Sequence, residues 1–341
     1  MHYTLSTLVL GAALAHGLAT TVSDDADLPV HILARLNDGP RFENLAVRAN
    51  GQILATTTQP NASIYQFDPL GILPPTLVYN IPNIRSAVGI AEREEDIFYV
   101  ASGDFDIMNP RNTTPASYSI TKIDMRGVEV LPKGGLTKAP YAQRVASLPN
   151  AALPNGIAFA RPLSEHLLVA DSFRGLIWNV NVCTGEVGVT LKDNSTNGST
   201  PTGPNFTGVN GIKVHKRNIY YTNTGKSSLY RVAVDDKGQV QESSTPVLVT
   251  GNLTCDDLVV DHGGTAYVAA PLGVITNVDP SGQQEIIAGS PRSNSSSLVG
   301  PTAVRFGRLV SDRWSLYITS NGGLTQTPPL NSVGLSRIDL R

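Results

Sequence analysis

Four oxygen-bearing side chains, Glu43, Asn155, Asn210 and Asp256, hold the same place in a phrase that the sequence repeats. The phrase is a polar or small residue, a small one, an apolar one, any residue, then an apolar one. It opens on Glu43, Val88, Asn155, Asn210, Asp256 and Thr302. Two carboxylates and two amides gathered at one point would offer oxygen donors only, the set that a hard cation such as Ca2+ prefers. The same groups would also serve as a hydrogen-bonded polar plug that satisfies strand ends, a place Asn and Asp favour without any ligand. Either role requires residues far apart in the chain to converge.

The spacing supplies a fold that would do this. The phrase starts lie 45, 67, 55, 46 and 46 residues apart. A period in the forties with several strands per repeat predicts a β-propeller. Each phrase is followed by a second and a third alternating apolar run bounded by Gly, Pro, Asn and Asp, and most repeats show a fourth. The fold expected is all-β: one six-bladed β-propeller of four-stranded blades over residues 28–341. The last repeat lacks a fourth strand and segment 30–36 lacks a repeat. That segment is therefore expected to complete the sixth blade and close the ring. The stretches 103–119 with 140–154, and 192–208, read as loop insertions. In such a wheel the innermost strands line a central channel, and the first residue of each phrase sits at one mouth. Strict alternation along a strand would turn Asp257, the neighbour of Asp256, away from that mouth.

Composition limits the function classes. The 341 residues carry a formal net charge of -2 and only 16% charged residues, which implies no basic face for nucleic acid. An uncharged apolar stretch over 5–18, followed by small residues, reads as a secretory signal ending near 19 and not as a membrane span. Seven sequons, at Asn61, Asn112, Asn194, Asn197, Asn205, Asn252 and Asn294, agree with a secreted or luminal glycoprotein. Cys183 and Cys255 fall at opposite ends of different blades, so two free thiols are expected instead of a disulfide. The six His residues form no zinc spacing, and the chain has no Gly-x-Ser-x-Gly elbow, Walker loop or Gly-x-Gly-x-x-Gly. Rim loops at the mouth mix apolar and polar groups as small-molecule pockets do: Phe105 and Met108, Asp171, Ser172 and Arg174, Asn223, and Leu324. A small-molecule partner and a monomer or small homo-oligomer are expected.

The runs ENLAVRANGQILAT, VGIAEREEDIFYVASG, LPNGIAFA, LLVADSFRGLIWNVNVCTGE, GVNGIKVHKRNIYYTNT and DDLVVDHGGTAYVA make the chain resemble the regucalcin/gluconolactonase-like six-bladed propellers. It is most similar to a secreted fungal branch associated with natural-product pathways. For metal-dependent lactonases the resemblance implies a divalent cation on Glu43, Asn210 and Asp256, with Asn155 on the substrate. Two departures weigh against a sugar lactone. The usual Pro-Asp-Gly is Cys255-Asp256-Asp257, and an Arg-Phe-Asn-Asp-Gly phrase is Leu153-Pro154-Asn155-Gly156, without its sugar-contacting Arg. The fungal branch also includes hetero-Diels-Alderases, which join a tropolone o-quinone methide to a humulene-type alkene. That reading, preferred here, needs no nucleophile. It implies Asn155, Arg174 and Asn210 as polarising groups, with Phe105, Met108 and Leu324 as an apolar wall. No cofactor is required by it, and Ca2+ or another divalent cation is the candidate. A lactonase and a secreted binding propeller without turnover are the alternatives.

Overall fold

The computed structural model describes residues 28–36, 40–106, 109, 113–200, 207–290, 298–323 and 333–341. The expected signal segment 1–19, the rim residues Met108 and Leu324, and the sequons at Asn112, Asn205 and Asn294 lie outside the described residues.

Segment 30–36 supplies the first strand, β1 (His31–Leu36). Blade one follows as β2 (Arg41–Val47), β3 (Ile53–Gln59), β4 (Ser63–Phe67) and β5 (Thr76–Asn80), and blade two as β6 (Ser86–Glu94), β7 (Ile97–Gly103), β8 (Ser119–Asp124) and β9 (Tyr141–Ser147). Blade three is β10 (Pro154–Phe159), β11 (His166–Asp171), β12 (Leu176–Asn181) and β13 (Val187–Leu191), and blade four is β14 (Val209–His215), β15 (Asn218–Asn223), β16 (Ser228–Ala233) and β17 (Val247–Thr250). Blade five is β18 (Leu258–Val260), β19 (Ala266–Ala270), β20 (Val274–Val278) and β21 (Gln284–Gly289). Blade six has β22 (Pro301–Phe306), β23 (Ser315–Ser320) and β24 (Val333–Asp339), and its sheet order is β1-β24-β23-β22. β1 runs antiparallel to β24, from His31 opposite Arg337 to Leu36 opposite Val333, so the N-terminal strand closes the ring as expected.

One stretch expected as an insertion is not one. Residues 140–154 contain β9, the outer strand of blade two, paired to β8 from Asp124–Tyr141 to Ser119–Ser147. Its sequence, YAQRVAS, is mostly exposed, so the apolar alternation that marks inner strands is missing. The extra length of this blade lies instead before β9, where a small hairpin is closed by a bridge between Val130 and Leu136.

The core lies between the blades. Phe98 of blade two packs in one cluster with Leu54 of blade one, and Tyr99 meets Phe159 of blade three edge to face at 5.2 Å. Leu168 clusters with Ile212, Leu229 with Leu258, Ile275 with Ile318, and Tyr317 with Phe42. Each seam between neighbouring blades thus has its own apolar cluster, and every sheet buries both faces. Cys183 is exposed and Cys255 buried, and both are free thiols, as the blade register implied.

Candidate functional site

The channel mouth is built by a repeated backbone irregularity. The pairing register slips between Phe42 and Leu45 in β2, Ala87 and Ile90 in β6, Pro154 and Ile157 in β10, Val209 and Ile212 in β14, and Pro301 and Ala303 in β22. In blade five the Asp256 N–H donates to the Ala269 carbonyl at 2.8 Å, and the Ala269 N–H donates to the Asp257 carbonyl at 2.9 Å. Two residues again face one. Each innermost strand therefore carries a β-bulge across the first two positions of the phrase, and a bulge re-aims side chains that plain alternation would separate. This corrects the expectation for Asp257, which the structure turns into the channel beside Asp256.

The bulged strands touch around the whole ring. Gly89, Gly156 and Gly211 hold the second position in blades two to four. A Cβ on each would stand 2.2 Å from the Asn155 carbonyl, 2.6 Å from the Asn210 carbonyl and 2.6 Å from the Asp257 Cα. Glycine here permits the close approach of neighbouring backbones. The circuit closes through the Asp257 N–H on the Thr302 carbonyl (3.1 Å), the Thr302 hydroxyl on the Phe42 carbonyl (3.3 Å) and the Thr56 hydroxyl on the Val88 carbonyl (2.6 Å).

At this mouth Glu43, Asn155, Asn210 and Asp256 are all buried. Burial raises the Glu43 pKa to about 7, with further help from the Asp257 charge. Burial also holds Asp256 well above the usual carboxylate range, reinforced by Glu43 and Asp257, while the Asn210 amide pulls it partly back. These mutual effects place the two carboxyls and Asn210 in one neighbourhood. The Asn210 Nδ2 donates to the Thr224 hydroxyl at 2.9 Å, and that hydroxyl donates to the Cys255 carbonyl at 3.1 Å. The Asn210 Oδ1 is buried with no partner. Among the described residues neither Glu43 nor Asp256 enters an ion pair, and neither the Glu43 carboxyl nor the Asn155 amide has a protein hydrogen bond.

The cations of the channel are taken one layer deeper, by Asp257. Lys213 Nζ lies 3.2 Å from its Oδ1, and the Arg305 guanidinium lies 2.8 Å from its Oδ2. Asn44 Nδ2 donates to Oδ2 at 2.9 Å, and Asn44 Oδ1 accepts from Arg305 at 2.7 Å. Although burial alone would raise its pKa, Arg305 and Lys213 hold the Asp257 carboxyl below the usual value, so it stays ionised. Burial and the Arg305 charge lower the Lys213 pKa to about 7. Sequence reasoning passed over Asn44, Lys213 and Arg305. The signal available for the two cations was a basic residue at the fourth position of an apolar phrase, which only blades four and six show.

The rim residues divide by role. Asp171 is wholly buried, and its carboxylate accepts from the N–H groups of Ala152, Leu153 and Arg174 and from the Trp178 indole, at 2.9–3.1 Å. Asn223 occupies the equivalent ladder position in blade four and donates to the Ser195 and Asn197 carbonyls at 2.8 Å. Both tie loops to their blades. Arg174 is exposed, with its Nε donating to the Asn150 carbonyl at 2.8 Å. Phe105 is buried edge-on to Phe173 at 5.8 Å. Ser172 keeps a buried hydroxyl without a partner, as do Ser102 and Tyr118 in blade two. No three His, Cys, Asp or Glu gather as a metal cluster among the described residues, so a cation here would need the amide oxygens as well.

Six four-stranded sheets closed by β1 define a six-bladed β-propeller. Its backbone is similar to that of the calcium-binding protein regucalcin of Agrobacterium tumefaciens, with a TM-score of 0.62 and 15% identity over 92% of this chain and 95% of that one. A protein described as a "putative gluconolactonase" gives a TM-score of 0.58 and 13% identity, covering 93% of each chain. Among curated proteins, one of Phoma sp named "Putative hetero-Diels-Alderase" is 28% identical over 345 residues, covering 94% of this chain and 96% of the relative. The "Putative hetero-Diels-Alderase asR5" of Sarocladium schorii is 24% identical, covering 89% of this chain and 80% of the relative. No family model matches the chain.

Proposed function

We propose that the chain is a small-molecule enzyme of the hetero-Diels-Alderase kind, joining a tropolone o-quinone methide to a humulene-type alkene at the Glu43–Asn155–Asn210–Asp256 mouth. The observation that carries the reading is a buried hub of polar groups short of protein partners, with no Ser–His or Cys–His pair beside it among the described residues. Among the described residues, no His side chain hydrogen-bonds a Ser or Cys; His166 bonds Asn179 instead. Full-length similarity to two proteins bearing that name supports it. In the cycloaddition one C–C and one C–O bond form, the alkene π bond and both heterodiene π bonds are consumed, one new C=C π bond forms within the former heterodiene, and no proton leaves. The site has only to hold the partners together and polarise the heterodiene oxygen. Positioning can lower such a barrier by roughly 7–11 kcal/mol. The Asn155 amide is free to donate to that oxygen, and donors fixed before reaction stabilise developing charge without reorganising.

Glu43, Asp256 and the orphaned Asn210 Oδ1 fit a divalent cation as well, since among the described residues no cation pairs with either carboxyl. When bound, such an ion would supply Lewis-acid polarisation of a substrate oxygen. That donor set is the observation favouring a lactonase as the second reading. Incubating the protein with a freshly generated o-quinone methide and a humulene-type alkene separates the two. Enantioenriched cycloadduct, lost in Asn155→Ala, is the expected result. Racemic product at the background rate, together with chelator-sensitive opening of a lactone, would replace the first reading with the second. We also infer a secretory route. The expected signal at 1–19 supports it, and Asn61, Asn194, Asn197 and Asn252 are exposed and open to glycosylation. No helix among the described residues is long and apolar enough to cross a membrane.

A further inference from the structure

The opposite end of the channel holds a cavity of about 780 Å³. The fourth positions of all six phrases line it. Blades one to three contribute Ala46, Ala91 and Ala158, and blade five contributes Val259. Blades four and six contribute Lys213 and Arg305, whose charged ends reach back to Asp257. Three adjacent alanines, where blades four and six carry long side chains, open space on one side of the axis. Phe159 and Phe306 extend the apolar wall. The Asp257 cluster stands between this cavity and the Glu43 mouth, so the two are separate compartments.

The rim of the cavity is cationic. Its two acids are already engaged, Glu92 by Arg308 and Asp236 by Arg217. Arg161 and Lys216 also line it and are exposed, and among the described residues neither enters an ion pair; the Lys216 ammonium donates to the His262 carbonyl at 2.9 Å. An apolar chamber of this volume is within the range of small-molecule sites, and a few placed polar groups fix orientation in such sites. A neutral hydrocarbon would leave those two charges unused, and a small inorganic anion would leave the apolar wall bare.

We propose that this lower cavity is a second binding site, for an organic monocarboxylate with an apolar body. The body lies against Ala46, Ala91, Ala158 and Phe306, and the carboxylate lies at the rim between Arg161 and Lys216. The site is independent of the mouth that carries the proposed reaction.

Calorimetric titration of the full protein with decanoate tests this, with decanol, decyl phosphate and inorganic phosphate as comparison ligands. Decanoate is expected to bind one site per chain, with decanol and inorganic phosphate at least tenfold weaker. Ala91→Phe, which fills the chamber, should abolish binding. The exposed double variant Arg161→Glu with Lys216→Glu leaves the core untouched and should weaken binding at least tenfold. Glu43→Gln, at the other mouth, should leave it unchanged. Absence of decanoate binding, equal binding of decanol, or undiminished binding to the Arg161/Lys216 variant would overturn the proposal. Decyl phosphate binding tenfold tighter than decanoate would overturn the carboxylate assignment.

Discussion

Replacing Glu43 by Gln tests the electrostatics of the mouth. The change keeps the shape of the side chain and removes its titration. Burial and Asp257 raise the Glu43 pKa from 4.5 to about 7. The folded protein therefore binds the Glu43 proton more tightly than the unfolded chain does. The resulting stabilisation is complete below about pH 4.5 and is lost progressively as pH rises to about 7, after which it is flat. A tenfold difference in proton affinity between the two states is worth about 1.4 kcal/mol, so the rise stabilises by about 3 kcal/mol in all. In chelator-containing buffer, urea denaturation from pH 4.5 to 8 should show the wild-type protein losing about 3 kcal/mol relative to Glu43→Gln. Asp256 sharpens the comparison, because losing the Glu43 charge removes one of the causes that raise its own pKa. If the two stability curves run parallel across that range, Glu43 is not a buried, uncompensated carboxyl. The mouth then does not hold two carboxyls without a cation.

Asp257→Asn leaves Lys213 and Arg305 buried without their carboxylate. It should cost about 3–5 kcal/mol in urea denaturation and move the Glu43 titration, followed by carboxyl NMR, downward. Gly156→Ala drives a methyl into the Asn210 and Gly211 backbone, and should cost roughly 1–3 kcal/mol in the same assay. With a thiol reagent at neutral pH, exposed Cys183 should react in the native protein. Cys255, buried with its pKa pushed up to about 12, should react only after unfolding; two fast thiols in the native state would contradict the blade seam around it.

Much of the architecture was legible because each blade repeats one inner strand. The phrase opening on Glu43, Asn155, Asn210 and Asp256 marked both the period and the mouth, and the unpartnered segment 30–36 marked the closure. The outer strand β9 was not legible, because a strand with its residues largely in water carries no apolar alternation. Asp257 was misjudged for a different reason. Alternation assumes a regular ladder, and the bulge that breaks it leaves no trace in residue type beyond the small residues at neighbouring second positions. Asn44, Lys213 and Arg305 look like ordinary surface residues in a linear reading. Only the ring puts them around one carboxylate. Asp171 and Asn223 show the reverse case, in which a polar residue at the right height serves the loops.

The two carboxylates in sequence at the start of blade five have opposite electrostatic fates, and that difference organises the channel. Asp257 collects both nearby cations, Asn44 and the Leu258 N–H, and so remains charged. Glu43 and Asp256 are buried, feel its negative charge and have no ion pair among the described residues, so ionising either is unfavourable. A mouth with unneutralised carboxyls can meet that cost in two ways: by keeping a proton, or by taking a cation onto Glu43, Asp256 and Asn210 Oδ1. The first gives a neutral, hydrogen-bonding pocket suited to polarising a carbonyl oxygen. The second gives a Lewis-acidic one. The buried cluster beneath is common to both states, so under the proposed function a choice between pericyclic and hydrolytic chemistry would fall to what the mouth binds and not to any change in the blades.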